Sequence, residues 1–309
     1  AGLGIARAAL AAGGRVTGVH GRRPRDLGEP LGTVTAGALP AGALADATVA
    51  LVAVQDRELE GAILALAAAV LPPDLVVLSA SGSAVPQAFA ALRARGVACG
   101  TFHPLVPLAE PEQAPTLLRG AWVGIAGDDR ALGPARALAA LVRAHVLRIP
   151  GGAPQRQALY HAAAVFASNF PIVLAAVAER MLREAGVARE EARPAVRHLL
   201  SAAAANLARG DEAALALTGP VVRGDEPTVR RHLEALDGEA SLGDVAFLYR
   251  ALAVATLDVA RVADAEPAAL AAIARLLGGD PLDGGEAHDA EAPRPVAHAD
   301  AAAGERGTA

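Results

Sequence analysis

Short apolar runs alternate with longer segments of helical periodicity along the first half of the chain. Helices are predicted between these runs, at Leu59–Val70, Ala84–Arg95 and Ala131–Arg143. Near-continuous apolar strands that alternate with helices predict a mostly parallel sheet covered on both faces. The predicted strands are Val16–His20, Thr33–Ala36, Thr48–Val54, Leu75–Ser79, Val97–Thr101, Ala121–Ala126 and His145–Ile149.

After the Pro- and Gly-rich stretch Pro150–Pro154 the apolar period changes to that of a helix and stays there. From Gly278 the chain loses this periodicity and becomes rich in Gly, Asp, Pro and Glu, a composition typical of disorder. We therefore expect an α/β domain over residues 1–150, an all-α domain over 151–277 and a disordered tail over 278–309. The helices predicted in the second domain are Gln155–Ala185, Arg189–Arg209, Glu226–Leu236, Asp244–Ala263 and Pro267–Leu277.

The first residues have the pattern of the first helix of a dinucleotide-binding βαβ unit. Counted back from Gly13 and the strand Val16–His20, Gly2 falls at the third glycine of G-x-G-x-x-G. The first strand and the two glycines that approach the phosphates would then precede residue 1. The alternative is that Gly2 and Gly4 only begin a helix. The predicted fold class is α/β: a Rossmann-like, doubly wound parallel sheet, its first strand missing from this chain, followed by an all-α domain.

Composition removes several classes of function. The net charge is −5 and no basic face with interleaved aromatics occurs, so nucleic-acid binding is not expected. The chain has no lysine, which excludes Schiff-base chemistry, and its one cysteine, Cys99, cannot form an internal disulfide or a thiolate-rich metal site. No uninterrupted run of eighteen apolar residues and no signal-peptide pattern is present. We expect a cytoplasmic protein without a metal and without a membrane anchor.

Two arginines follow Val16–His20, which is the second strand of the sheet when the missing first strand is counted. In a dinucleotide-binding domain this position meets the adenosine ribose, where an acid selects NAD and arginine accommodates the 2′-phosphate of NADP. Arg22 and Arg23 stand there and no acid follows the strand immediately, so NADP is favoured over NAD. The alternative is a solvated basic turn.

Polar residues also follow three further strands. Val54 ends the strand Thr48–Val54 and Gln55 follows it, at a point where backbone groups would face the nicotinamide half of a cofactor. Ser81, Gly82 and His103 follow the next strands and should gather at the carboxyl edge of the sheet, the usual ligand crevice. For His103 alone, a capping or structural role is the alternative.

The segment YHAAAVFASN, Tyr160–Asn169, places polar side chains on an otherwise small and apolar helix. At about 100° per residue, Ser168 lies about 20° from His161 around the helix axis and Asn169 about 80° from it. These three residues could line one wall of a substrate site, or His161 and Asn169 could be hydrogen-bonded in a core. Farther along, Arg223 in a Gly-flanked loop could bind an anionic group, while Asp225 is suited to cap the next helix.

The motifs LVAVQD, SASG, TFHPL, YHAAAVFASN, ALTGPVVRGD and LYRALA resemble a bacterial family over roughly Gly2 to Ala263. Its members join a Rossmann-like NADP-binding domain to a helical domain of unknown function 2520. The resemblance implies kinship with proteins that have 6-phosphogluconate dehydrogenase-like C-terminal domains. These include β-hydroxyacid dehydrogenases, pyrroline-5-carboxylate reductase and deazaflavin-dependent NADP reductases, most of which dimerise through the helical domain. β-Hydroxyacid dehydrogenases carry a proton-donating lysine four residues before an asparagine; here Asn169 matches but Val165 replaces the lysine.

We therefore expect an NADP-dependent oxidoreductase that transfers a hydride between NADP(H) and a small carbonyl, hydroxy-acid or imine compound. His161 would act as general acid, since an imidazole can donate or accept a proton at neutral pH. Asn169 would orient the substrate oxygen, and His103, Ser168 and Arg223 would bind the substrate in a homodimer. The alternative is a dinucleotide-binding sensor or regulatory protein without turnover.

Overall fold

The computed structural model describes residues 1–150, 154–210, 213–262 and 266–278. The chain divides into two compact units, Ala1–Leu174 and Ala175–Ala309. The division falls inside a long helix, whereas the sequence pattern places it at Pro150–Pro154. Of the tail predicted over 278–309, all but Gly278 lies outside the described residues.

The first unit contains two sheets. The larger has the strand order β4-β5-β6-β7-β8, and the smaller has the order β1-β3-β2. The strands are β1 (His20–Gly21), β2 (Arg25–Asp26), β3 (Thr33–Ala36), β4 (Val49–Val52), β5 (Val76–Ser79), β6 (Ala98–Pro104), β7 (Trp122–Gly127) and β8 (His145–Arg148). The helices of this unit are α1 (Gly2–Ala11), α2 (Asp56–Ala68), α3 (Ala90–Arg93), α4 (Ala114–Leu117) and α5 (Asp129–Leu141).

The prediction of a mostly parallel sheet is confirmed, with one exception. β4, β5 and β6 pair in parallel and so do β7 and β8, whereas β7 runs antiparallel to β6. A parallel neighbour requires a crossover segment that returns the chain to the opposite edge of the sheet. The segment between β6 and β7 carries only the short helix α4 and makes no such crossover.

The strand predicted over Val16–His20 is wrong in its extent. Only His20 and Gly21 form β1, which pairs in parallel with β3, and the arginine-bearing turn after it leads into the short strand β2. Residues 16–19 are exposed or half-buried, and Thr35 N–H donates to the Val19 carbonyl. β1 and β4 do not pair with each other, since they belong to different sheets.

Helices cover both faces of the larger sheet, as the apolar runs predict. On one face α1, α4 and α5 pack against the strands, with Ile5, Leu118 and Leu132 in the shared core. On the other face α2 and the short helical turns before β6 bury Ile63, Phe89 and Leu92. The helix predicted over Ala84–Arg95 is a 3-10 turn over Pro86–Phe89 followed by the four residues of α3.

The second unit is helical, as predicted. The long helix α6 (Pro154–Glu184) enters it from the first unit, and α9 packs against α10 and α11 around Val229, Leu257 and Ile273. The Asp225 carboxylate accepts from Thr228 N–H and so caps α9. The other helices are α7 (Arg189–Leu207), α8 (Ala213–Ala216), α9 (Glu226–Gly238), α10 (Gly243–Val262) and α11 (Pro267–Leu276).

Helix α6 carries apolar side chains that the other described residues leave exposed. Phe166 is 68% exposed, and its ring meets that of Phe170 edge to face at 4.7 Å. Within the described residues, two helices, Pro154–Glu184 and Ala240–Arg261, are long and apolar enough to cross a membrane by length and composition alone. The core helices of soluble proteins meet the same test.

Candidate active site

A serine-rich turn follows β5 at the carboxyl edge of the larger sheet. The Ser79 hydroxyl accepts from Ser81 N–H at 3.1 Å, and the Ser81 hydroxyl accepts from Ser83 N–H at 3.2 Å. Both the Ser81 and the Ser83 hydroxyls donate to the carboxylate of Asp56, the first residue of α2. The turn between Ser79 and Ser83 is therefore held both by its own side chains and by the start of α2.

The beginning of α6 packs on this turn through the buried residue Gln157. Its Nε2 atom donates to the Gly82 carbonyl at 2.6 Å. A Cβ atom on Gly82 would lie 2.6 Å from Nδ1 of His161 and 2.7 Å from Cε1 of His103. Only a glycine therefore lets the turn close against both imidazole rings, which meet edge to face at 5.8 Å between centroids.

Tyr160 joins α6 to the strand that carries His103. The Tyr160 hydroxyl lies 2.7 Å from Nδ1 of His103, and the two rings meet edge to face at 5.6 Å. The hydroxyl occupies space above Gly124 of β7 that a Cβ atom would fill. We call the group Asp56, Ser81, Gly82, Ser83, His103, Gln157, Tyr160 and His161 the imidazole cluster.

Within the imidazole cluster, the surroundings of His103 favour its neutral form and those of Asp56 its charged form. Hydrogen bonds from Ser81 and then Ser83 hold the pKa of Asp56 below its ordinary value. Burial, and to a smaller extent the neighbouring His161, lowers the pKa of His103, while Asp56 opposes this change. Burial raises the pKa of Tyr160 to about 12, so its hydroxyl keeps its proton.

The start of α1 fits the glycine position expected for a dinucleotide-binding unit. A Cβ atom on Gly2 would lie 2.7 Å from Cβ of Ala53, just after β4, so a larger residue would push the helix off the sheet. Close packing of helix on strand is the role of the third glycine of the fingerprint. No side chain caps α1 at Ala1. Its first N–H groups are therefore suited to a phosphate.

Other residues predicted for the cofactor lie at the same edge of the first unit. Arg22 and Arg23 are exposed, and Arg22 forms an ion pair with Glu58 of α2 at 3.0 Å. Val54 and Gln55 are exposed between β4 and α2, directly before Asp56. The two arginines remain available to an anion, because an exposed ion pair such as Arg22–Glu58 is weak.

The structure does not bring every predicted residue into the imidazole cluster. Ser168 donates to the Ala164 carbonyl and to Oδ1 of Asn169, so its hydrogen bonds stay within α6. Asn169 is exposed, which contradicts the alternative of a buried core asparagine. Arg223 is exposed in the second unit, in the loop that precedes α9.

Sequence reasoning missed four members of the cluster: Asp56, Ser83, Gln157 and Tyr160. The sequence carries a signal for Asp56 and Ser83, because each lies after a predicted strand and next to a predicted site residue, Gln55 or Gly82. Gln157 and Tyr160 carry no such signal, since their roles depend on which face of α6 meets the sheet. Within the described ranges no group of three or more His, Cys, Asp or Glu side chains could hold a metal ion.

Sheet order, the helices on both faces and the glycine contact at α1 define a Rossmann-like protein with a helical second unit. Residues 121–256 match the family described as "Domain of unknown function (DUF2520)", which confirms the resemblance noted in the sequence. Among curated proteins, none matches the chain.

Solved structures share this architecture. Protein TM1727 from Thermotoga maritima is 25% identical, with a TM-score of 0.55 over 69% of this chain and 78% of its own. A putative NADP oxidoreductase, BF3122 from Bacteroides fragilis, is 19% identical with a TM-score of 0.59, covering 82% of this chain and 93% of its own. A pyrroline-5-carboxylate reductase from Coxiella burnetii is 14% identical with a TM-score of 0.52, covering 84% and 94%. At these low identities the last two similarities establish the fold alone.

Proposed function

We propose that the protein is an NADP-dependent oxidoreductase that transfers a hydride between NADP(H) and a small carbonyl, hydroxy-acid or imine compound. The observation that carries the proposal is the packing of Gly82 against two imidazoles at the carboxyl edge of a Rossmann-like sheet. Ligands of open α/β sheets bind at that edge. The shared fold of a putative NADP oxidoreductase and a pyrroline-5-carboxylate reductase supports the same class of reaction.

The residues that would hold NADP(H) follow the path of a dinucleotide along the sheet edge. The N–H groups that begin α1 at Gly2 would receive the pyrophosphate, and Arg22 and Arg23 would receive the 2′-phosphate. The nicotinamide half would lie against Val54, Gln55, Ser81 and Gly82. Bound NADPH supplies a hydride. NAD is the less favoured cofactor because no acid stands beside the two arginines.

The proton that accompanies the hydride would move through an imidazole of the cluster. General acid–base catalysis needs a group that exchanges a proton near neutral pH, and His161 is the residue that the sequence pattern selects for this. Asn169 and Ser168 would orient the substrate oxygen from the same helix, with His103 beside the reacting group. Arg223 would bind a carboxylate or phosphate of the substrate.

The uncovered apolar side chains of α6 support a homodimer. Leu159, Phe166 and Ile172 are each about 70% exposed in the single chain, and Val173 is 53% exposed. Exposed apolar side chains in such number on one helix are typical of an interaction site. A second copy of the chain, rather than a membrane or another partner, would cover these side chains. The protein would then be cytoplasmic and would bind neither nucleic acid nor metal.

Cofactor selectivity tests the proposal directly. Calorimetry on the full-length protein should give a lower dissociation constant for NADPH than for NADH. Arg22→Ala/Arg23→Ala should weaken NADPH binding by about 10- to 100-fold and change NADH binding by less than about threefold, because only NADPH carries the 2′-phosphate.

The matched control is Arg119→Ala/Arg136→Ala, which removes the same charge from exposed positions of the first unit. This variant should bind both nucleotides as the unchanged protein does. If the unchanged protein bound neither nucleotide, the sheet would serve another ligand and the proposal would fail.

A second candidate function is a dinucleotide-binding sensor without turnover. It is favoured by the absence of lysine from the chain and by Val165 at the position where β-hydroxyacid dehydrogenases have their proton donor. An oxidoreductase should consume NADPH with some carbonyl or imine compound. A sensor should bind NADPH without consuming it and change its oligomeric state.

A further inference from the structure

His103 and Gly124 are cross-strand partners in β6 and β7, and Tyr160 uses the space that this pair leaves open. His103 pairs with Gly124 in the antiparallel register. Because Gly124 has no side chain, the Tyr160 hydroxyl fits above it, where a Cβ atom would overlap the hydroxyl. The hydroxyl thus reaches Nδ1 of His103 at 2.7 Å, held by the helix rather than by a flexible loop.

The direction of this hydrogen bond follows from the partners of the two groups. The Tyr160 hydroxyl keeps its proton, since burial raises its pKa to about 12. Among the described residues it has no second acceptor, so its O–H donates to Nδ1 of neutral His103. A neutral imidazole that accepts at Nδ1 carries its hydrogen on Nε2. Because Tyr160 occupies Nδ1, Nε2 is the ring nitrogen of half-buried His103 that is left for a ligand.

His161 has a different environment at the corresponding atom. Its Nδ1 is buried next to Gly82 and has no hydrogen-bond partner in the part of the chain that the structure describes. A hydrogen on this Nδ1 atom would have no acceptor among the described residues. Charged His103, by contrast, could donate from Nδ1 to the Tyr160 oxygen, because a hydroxyl can accept as well as donate.

We propose that Tyr160 is the positioning residue of His103, and that His103 gives and takes the proton during hydride transfer. The inference rests on the proposed oxidoreductase function, and it gives His103 the role that the sequence pattern assigns to His161. In the reductive direction the substrate carbon receives the hydride, and the C=O electron pair takes the proton from Nε2 of charged His103. The products are an alcohol, the oxidised nicotinamide and neutral imidazole, which regains its proton from water.

The groups that face His103 set the pH range of this step. Tyr160 and His161 approach it from α6, and Asp56 acts on it from α2. Burial is the largest influence and lowers the pKa of His103, His161 adds to that effect, and Asp56 opposes it. The rate of the reductive reaction should therefore fall as the pH rises through a value below the ordinary histidine pKa.

Nitrogen-15 NMR of the imidazole rings tests the role of Tyr160 without any turnover. In the unchanged protein His103 should be the Nε2–H tautomer, and in Tyr160→Phe it should become a mixture of both tautomers. Tyr249→Phe is the matched control, because Tyr249 is the other tyrosine of the chain and its hydroxyl lies 3.0 Å from Nδ1 of His232. That variant should leave His103 unchanged. An unaltered His103 spectrum in Tyr160→Phe overturns the inference.

Steady-state kinetics test the role of His103. Tyr160→Phe should lower kcat by about tenfold or more and change KM by less than about twofold, because general acid–base catalysis contributes about 100- to 10,000-fold and a misplaced imidazole keeps part of it. His103→Gln should lower kcat more than His161→Gln does. The opposite order overturns the assignment to His103.

The two experiments separate this inference from the function on which it rests. If the unchanged protein consumed no NADPH with any carbonyl or imine compound, the proposed function would fail. The NMR result would still decide whether Tyr160 fixes the tautomer of His103.

Discussion

Two serine hydroxyls donate to the carboxylate of Asp56, which begins α2 beside the imidazole cluster. These hydrogen bonds lower the pKa of Asp56 from its ordinary value of 3.8, and the bond from Ser81 has the larger effect. A carboxyl group whose pKa is lower in the folded chain stabilises the fold above its unfolded pKa. It loses that contribution as the pH falls through the folded value. Asp56 therefore links the stability of the site to acid pH.

Asp56→Asn should lower the free energy of unfolding at pH 7 by about 1 kcal/mol, a value reduced for solvent exposure. The difference from the unchanged protein should shrink as the pH falls below about 4, because Asp56 then takes up a proton in the unfolded chain and, at lower pH, in the folded chain. Urea unfolding at a series of pH values measures both effects.

Asp129→Asn is the control for this substitution. Asp129 begins α5 as Asp56 begins α2, but no described side chain donates a hydrogen bond to it. Its replacement changes the charge at a helix start without breaking serine contacts, so the loss at pH 7 should be smaller. Equal losses for the two variants would show that the helix end, and not the serine turn, accounts for the effect.

A buried amide links the start of α6 to the turn that follows β5. Gln157 is 6% exposed, and its side chain is the hydrogen-bond donor to the Gly82 carbonyl. Tyr160 and His161 follow within the next turn, so this contact sets the height and rotation of both rings above the sheet edge. The geometry of the imidazole cluster therefore depends on an element contact as much as on its own side chains.

Gln157→Met keeps the length of the side chain and removes the donor. We expect a loss of about 1–3 kcal/mol in the free energy of unfolding, since the buried Gly82 carbonyl would lose its donor. Amide hydrogen exchange should also become faster at the start of α6. Gln155→Met, at an exposed position of the same helix, should change neither quantity; equal effects of the two changes would contradict the role of this contact.

The sequence predicts best the elements whose buried positions repeat within the element itself. The strand Thr33–Ala36 and the five helices predicted after Pro154 agree with the structure to within a few residues, whereas the short helix α8 is not predicted. The strand over Val16–His20 is wrong because apolar alternation does not supply a pairing partner. The same limit holds for the site: strand ends locate Ser81, Gly82 and His103, but the contact of Tyr160 with His103 needs the register of β6 on β7 and the rotation of α6.

At the scale of the whole molecule, the middle of α6 exposes several large apolar side chains. Phe166, Phe170, Ile172 and Val173 are all exposed, although each would gain about 1.5–3 kcal/mol from complete burial. A second copy that brought its own α6 against this surface would bury both sets at once, as a two-fold interface does.

The unchanged protein should sediment at twice its chain mass of 30.9 kDa. Phe166→Ser/Phe170→Ser should raise the dissociation constant of the dimer by at least about 100-fold, because two aromatic side chains would no longer be buried. Leu64→Ser removes a similarly exposed apolar side chain from α2 and should leave the mass unchanged. A monomer in all three proteins would contradict the dimer.

Gly82 and Gly124 shape the imidazole cluster by the side chains that they lack. Systematic replacement by alanine removes atoms at most positions, and its results are normally interpreted as lost contacts. At these two positions the same replacement adds a methyl group where a ring or a hydroxyl already lies. A survey of variants would therefore rank two chemically inert residues beside the histidines, and a loss of activity there would report displaced neighbours rather than missing chemistry.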